Sequence, residues 1–384
     1  MIYLDNAATS FPKPPEVAQA IARLLTESAG NPGRSGHGLA LAAERVVEDA
    51  RRRLAALFGV ADPARIAFTL NATDALNLAL WGLLAPGDRV VTTSVEHNAV
   101  VRPLHALAAT RGVVVERAAC APDGSLDLDD LTRVVARAKT RLVVVNHASN
   151  VVGTVLPVRE AAAIAHAHGA AFLLDAAQTA GVLPIDVRAL GVDLLAFPGH
   201  KGLLGPTGTG GLYVAPGVRL TPLRQGGTGT RSEDERHPEE MPQVLEAGTP
   251  NTVGIAGLGA AVAYLEARGV ADVRAHELAR TGRLLAGLGE IPGVRVHGPL
   301  DPTRRVSAVS ITLAGWEPND VAAVLDGSFG IAVRAGLHCA PLAHRTIGTF
   351  PRGTVRLSPG PFTTEAEIDG ALAALRSIAG VSGP

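Results

Sequence analysis

Cysteine is nearly absent. Cys120 and Cys339 are the only two among 384 residues, too few for a disulfide framework, and free thiols point to a reducing compartment, so the cytoplasm is the expected location. Lysine is scarcer than the basic total implies: Lys13, Lys139 and Lys201 are three of 35 basic residues, the rest being arginine. Any chemistry that needs a lysine amine therefore has three candidates. A charge excess is missing too, with 35 basic against 36 acidic residues and a net charge of -1, so no basic field recruits nucleic acid or an anionic membrane, and neither is an expected partner. The chain is 47% apolar with mean hydropathy +0.22, yet charges, glycines and prolines interrupt every apolar stretch before it reaches membrane-spanning length. The opening MIYLDNAATS has neither the basic start nor the apolar run of an export signal. No Cys-x-x-Cys occurs, and His166 and His168 are two apart on a helical stretch, hence on different faces, so no metal site is expected. Gly257-Leu258-Gly259 has Val262 at the third glycine position of a dinucleotide fingerprint, and the glycines from 205 to 211 lack the Lys-Ser/Thr of a phosphate loop.

What is present reads as an α/β protein. Length alone favours two domains. Residues 1–15, with Pro12, Pro14 and Pro15, read as an extended arm packing with the smaller domain. A helix is expected over 41–58, where Val47, Ala50, Leu54 and Leu57 share one stripe and Gly59 ends it. Apolar runs at 65–70, 89–93, 113–116, 142–146, 171–175 and 194–197 alternate with helix-like stretches, which predicts a mostly parallel sheet flanked by helices in a large domain, residues 16–255. The glycine-rich and charged stretch 198–255, including the charge run 232–240, reads as loops near the active face. Residues 256–384 read as a smaller α+β domain: one long helix, strands at 306–313, 331–334 and 354–357, and helices at 317–326 and 364–379.

Four strand ends carry chemistry. Lys201 follows the apolar run LLAFP within PGHKG, at the carboxyl end of a strand, where open α/β sheets bind ligands. Asp175 ends AFLLD and precedes Gln178; its carboxylate suits a pyridinium nitrogen. Asn71-Ala72-Thr73 opens a helix after a strand, and free N–H groups and hydroxyls there suit a phosphate. His97, after a fourth strand, suits stacking on a flat ring. Each residue alone has a plainer reading, as a solvated lysine, a capping Asp or Thr, or a structural histidine. Together they describe a site for pyridoxal 5'-phosphate (PLP).

At these residues the chain resembles the cysteine desulfurase family of fold-type I PLP enzymes, in the class V aminotransferase group. The motifs are Tyr3-Leu4-Asp5-Asn6-Ala7-Ala8-Thr9, Glu96-His97, Ser149-Asn150-Val151-Val152-Gly153, Asp175-Ala176-Ala177-Gln178, Gly199-His200-Lys201, Gly248-Thr249-Pro250-Asn251 and Arg334-Ala335-Gly336-Leu337-His338-Cys339. The resemblance implies that Lys201 binds PLP covalently and that His97 stacks on the ring and moves protons. Asp175 pairs with the ring nitrogen and Gln178 with the ring hydroxyl. Ala72, Thr73 and His200 hold the phosphate, with Thr249 from the partner subunit of a homodimer. Asn150 touches the cofactor and, with Arg356, binds an amino-acid substrate, L-cysteine or an analogue, the arginine through the substrate carboxylate; His37 is a weaker substrate-side candidate. Cys339 takes the sulfur as a persulfide and leaves L-alanine, with a sulfur-acceptor protein downstream, and His338, Arg334 and Arg356 are the expected neighbours that favour its thiolate. Cys120 reads as structural. The alternative is another class V PLP enzyme, a selenocysteine lyase, aminotransferase or epimerase, in which Cys339 accepts no sulfur. Two departures stand out: Pro198 where the family commonly has a hydroxyl residue, and Leu337 in place of a frequent histidine.

Overall fold

The computed structural model describes residues 1–33, 36–230 and 233–380; Ser232, which opens the charge run, lies outside them. In chain order the elements are β1 (Ile2–Tyr3), α1 (Pro15–Glu27), α2 (Gly38–Leu57), β2 (Ile66–Thr69), α3 (Ala72–Leu83), β3 (Arg89–Thr93), α4 (Asn98–Arg111), β4 (Val114–Ala118), α5 (Leu128–Ala136), β5 (Leu142–Asn146), α6 (Val158–Ala167), β6 (Ala171–Asp175), β7 (Leu194–Pro198) and β8 (Gly210–Val214). There follow α7 (Thr252–Arg268), α8 (Val270–Gly289), β9 (Val294–His297), β10 (Val309–Leu313), α9 (Pro318–Phe329), β11 (Ile331–Ala332), β12 (Arg334–Gly336), α10 (Pro341–Thr346), β13 (Thr354–Leu357) and α11 (Glu365–Ala379).

The alternation of apolar runs becomes a seven-stranded sheet in the order β2-β8-β7-β6-β5-β3-β4. All neighbours from β7 to β4 are parallel, and β8 runs antiparallel to both of its own. Strand β5 shows why. All five of its residues are buried; Val143 and Val145 enter one core cluster and Leu142 and Val144 the other, because successive side chains leave a strand on opposite faces. Helices cover both faces, as a parallel sheet requires: Leu76, Leu80 and Leu104 from α3 and α4 on one side, Leu54, Ala161 and Leu258 from α2, α6 and α7 on the other. The register levels the strand ends, since Asn146 pairs with Asp175 and Asp175 with Ala196.

The second sheet, β12-β13-β10-β9, is antiparallel, and Leu284, Leu288, Leu325 and Leu372 of α8, α9 and α11 fill its core. Strand β1 pairs in parallel with β11, and fully buried Leu4 joins this core. The N-terminal arm thus forms a separate two-stranded sheet with β11 and reaches the core beside the four-stranded one.

Three expectations change. The stretch 198–255 holds a strand, β8, in the interior of the large sheet. The long helix expected after residue 256 is two helices, α7 and α8, bent by 81° at Gly269, whose φ of 87° breaks the helix. Helix α7 packs on α1 and α2, so the division expected after residue 255 falls inside a helix that belongs with the large sheet. Among the described residues no single helix is long and apolar enough to cross a membrane.

Candidate active site

The level strand ends open onto a pocket of about 280 Å³. Eight of the nine residues implied to hold a cofactor line it: Ala72, Thr73, His97, Asn150, Asp175, Gln178, His200 and Lys201. The ninth, Thr249, is exposed and does not. Lys201 follows β7 through a turn that needs Gly199, where a Cβ would come within 2.1 Å of Thr209 Oγ1. Burial first, and the Arg356 guanidinium second, push the Lys201 amine down to about 8, with Asp175 opposing. The competing lysines drop out. Lys13 is not among the residues lining this pocket and donates to Ser10 Oγ (2.7 Å) and the His200 carbonyl (2.8 Å), and Lys139 is exposed.

Asp175 ends β6 with its side chain buried, and its Oδ1 accepts from Ala177 N–H at 2.9 Å. Burial pushes its carboxyl up, against the pull of that hydrogen bond and of Lys201. A buried carboxylate left this way is stabilised by a cationic ring nitrogen beside it. Helix α3 begins here. Asn71 caps it, accepting from Asp74 N–H at 2.9 Å, which leaves the amides of Ala72 and Thr73 for an anion. His97 caps α4 through Nδ1, which accepts from Ala99 N–H at 3.0 Å. Its proton therefore sits on Nε2, and burial, then Lys201, push the imidazole down to about 4, so the ring is neutral at neutral pH.

Three polar atoms in this pocket's walls are buried with no hydrogen-bond partner: His200 Nδ1, Asn146 Oδ1 and Asn150 Oδ1. Unpartnered buried polar atoms are costly, and these three belong to residues lining a space bounded by a carboxylate, a lysine amine and a helix N-terminus. The donor set fits a flat, phosphorylated pyridine. Asn146 escapes a reading by motif alone, and buried Glu96 enters it only as the neighbour of His97. Glu96 Oε1 accepts from Thr93 Oγ1 (2.7 Å) and Asn146 N–H (3.1 Å), and burial pushes its carboxyl up to about 8. Asn146 had a signal: it ends the apolar run LVVVN as Asp175 ends AFLLD.

Arg356 and Cys339 come from the smaller sheet. Arg356, on β13, is 1% exposed; Nη2 donates to Asp5 Oδ1 (2.7 Å) and Nη1 to the Asn150 carbonyl (2.9 Å), while Nε is buried without a partner. Arg334 pairs with Arg356 in register across β12 and β13 and donates through Nη2 to Cys339 Sγ at 3.2 Å. Cys339 is exposed. Its turn is tied to the pocket walls: Asn98 N–H donates to the Cys339 carbonyl (2.8 Å) and Asn150 Nδ2 to the His338 carbonyl (2.7 Å). One expected neighbour is no cation. Burial and Arg356 push His338 down to about 2, so Arg334 is the charge in contact with the thiol. His37 is exposed and caps α2, accepting from Ala40 N–H at 3.3 Å, outside the pocket. Cys120 is half-buried, and burial pushes its thiol up to about 11.

Strand ends bearing a lysine, a carboxylate and an open helix N-terminus define a class, and the family model for aminotransferase class-V matches residues 2–370: the chain belongs to that family. Several of its relatives carry one particular name. A probable cysteine desulfurase of Methanothermobacter thermautotrophicus is 39% identical over 387 residues, covering 99% of this chain and 95% of its own. One of Halalkalibacterium halodurans is 36% identical, covering 96% of this chain and 91% of its own. Among solved structures, the apo cysteine desulfurase of Thermococcus onnurineus NA1 superposes with a TM-score of 0.92 at 36% identity, over 99% of this chain and 94% of that one. Escherichia coli CsdA, also a cysteine desulfurase, gives 0.87 at 30%, over 98% and 94%.

Proposed function

We propose that the protein is a PLP-dependent cysteine desulfurase, which converts L-cysteine to L-alanine and holds the sulfur as a persulfide on Cys339. One observation carries this reading: the turn bearing Cys339, with Arg334 on its sulfur, is tied through Asn98 and Asn150 to the walls of the pocket that holds Lys201 and Asp175. The family in general uses PLP, and when bound the cofactor supplies an electron sink for the charge left on substrate carbon. Lys201 would hold it through Nζ and later carry a proton there. Asp175 would keep the ring nitrogen protonated and Gln178 would meet the ring hydroxyl. Ala72, Thr73 and His200 would hold the phosphate, with Thr249 supplied by the second copy of a homodimer. His97, neutral with its proton on Nε2, would stack on the ring. Arg356 and Asn150 orient the substrate carboxylate.

Cys339, as thiolate, attacks the substrate sulfur. The carbon–sulfur bond breaks, the sulfur stays on Cys339, and the carbon takes a proton and leaves as L-alanine. An acceptor thiol, small or on a partner protein, then takes the terminal sulfur, becomes the persulfide in turn and returns Cys339 to its thiolate. We place this chemistry in the cytoplasm, where free thiols persist. The test is alanine formation from cysteine by the holoenzyme, with and without a thiol reductant. Turnover that requires the thiol supports the reading, and alanine formation that ignores both the thiol and Cys339→Ala sinks it.

A further inference from the structure

His338 takes no part in the chemistry above, yet it is 2% exposed and directly precedes Cys339. Both residues have positive φ, 48° and 58°, a left-handed conformation that residues with side chains keep only where the surroundings hold them. The His338 ring supplies one hold, and its hydrogen bonds fix their own direction. Ser310 Oγ lies 2.7 Å from the Val151 carbonyl, a pure acceptor, so the one serine proton goes there. Thr354 Oγ1, 3.0 Å from Ser310 Oγ, must then donate to it. His338 Nε2 is 2.9 Å from Thr354 Oγ1, whose proton is already committed, so the ring is the donor and its proton sits on Nε2. Nδ1 is left as a bare lone pair, buried without a partner. The relay runs from the turn across β13 and β10 to the backbone that follows Asn150. The His344 ring packs beside His338 with centroids 5.5 Å apart. On the opposite side, Asn150 and Asn98 grip the carbonyls of His338 and Cys339.

We propose that His338 is a positioning residue for the sulfur step: its Nε2–H, relayed through Thr354 and Ser310 to the Val151 carbonyl, locks the left-handed turn that keeps Cys339 at Arg334 and beside the pocket. This rests on Cys339 being the sulfur acceptor. A neutral ring suits the task. Burial and the neighbouring arginines keep His338 uncharged throughout the working pH range, so the donor never changes with pH. Displacing a reacting atom by an ångström is costly to a rate without changing affinity for the substrate.

The test uses holoenzyme with Thr354→Val, which keeps the shape and removes the hydroxyl, and Thr354→Ser, which restores it. The relay predicts that Thr354→Val lowers kcat for alanine formation by about tenfold or more while KM for cysteine stays within about twofold, and that Thr354→Ser recovers most of the loss. An unchanged kcat in Thr354→Val overturns the proposal, and so does a loss that Thr354→Ser fails to recover. If Thr354→Val does not accumulate as folded holoenzyme, Ser310→Ala breaks the same relay one step further on, with the same expected loss of kcat and the same overturning result. Nitrogen NMR of histidine-labelled protein, with His338→Asn to assign the signal, reads the relay without turnover: an Nε2–H tautomer that does not titrate between about pH 6 and about pH 8 supports it, and an Nδ1–H tautomer overturns it. If the unaltered holoenzyme makes no alanine from cysteine, the sulfur reading falls, and the tautomer still decides whether the relay exists.

Discussion

The pocket at the end of the large sheet and the turn that carries Cys339 are built by different means. Backbone register builds the first: Asn146, Asp175 and the approach to Lys201 come out level because β5, β6 and β7 are paired in parallel. Side chains build the second, through His338, Asn150, Asn98 and Arg334 acting on two residues of positive φ. The difference teaches where each part is vulnerable. A strand-end site survives the loss of a single hydrogen bond, because the whole sheet sets its geometry. A turn held by polar ties depends on each of them.

Removing the nucleophile from the turn gives the largest effect, and it should leave the pocket working as a binding site. Cys339→Ala should lower alanine formation from cysteine by roughly three orders of magnitude, as for a nucleophile needed only in bond breaking, while cofactor content and cysteine binding persist. Cys120→Ala should leave turnover close to that of the parent, since Cys120 follows β4 of the large sheet with its thiol pushed up by burial. Equal losses in the two variants would erase the distinction between them.

Arg356 joins the regions, and its replacement by lysine ranks next. An ammonium cannot keep both the Asp5 and Asn150 contacts and still present a planar fork to a carboxylate. Losing a charge-assisted hydrogen bond costs ~1.5 to 3 kcal/mol, roughly ten- to a hundredfold in cysteine affinity. Spectroscopic titration with cysteine reads this directly, and an unchanged midpoint would remove Arg356 from the substrate site.

A smaller effect belongs to the pocket alone. Lys201 is pushed down to about 8 from the ordinary 10.5, and a lowered lysine pKa means that the neutral amine appears at lower pH. Covalent uptake of PLP by apoprotein, trapped with borohydride and mapped to Lys201, should rise about tenfold per pH unit below 8 and level off above it. A rise that continues to the ordinary lysine value would show that the burial of Lys201 does not tune its amine.

The smallest effect lies outside both regions. Thr364 and Glu367 form a capping box at the start of α11, and Thr364→Ala should cost about 1 kcal/mol of stability in denaturant unfolding. Activity should not move. A loss of turnover there would mean that the smaller sheet transmits any weakening to Cys339, not only weakening of its turn.

How much of this was legible in the sequence follows the same division. Asp175 and Lys201 stand out because apolar runs, Ala171–Leu174 and Leu194–Pro198, lead to them, and level strand ends follow from parallel pairing. Strand β8 was hidden by its own packing requirement. A Cβ on Gly211 would sit 2.4 Å from the Phe197 ring, and one on Gly210 would sit 2.8 Å from Asn71, so the glycines that read as loop are what let an interior strand fit. Arg356 and Cys339 came from the resemblance, because a lone arginine or cysteine on a short strand or turn carries no periodic signal. The paired register of Arg334 and Arg356, the left-handed turn and the neutral state of His338 are three-dimensional facts with no trace in local composition.

Locating the sulfur after a single turnover tests the central claim most directly. Holoenzyme mixed with a single equivalent of cysteine per subunit and no other thiol, then alkylated and mapped by mass spectrometry, should carry one extra sulfur atom on the Cys339 peptide, matched by one alanine for each modified subunit. Alanine formed with that sulfur on Cys120, or with no protein persulfide at all, would contradict the account.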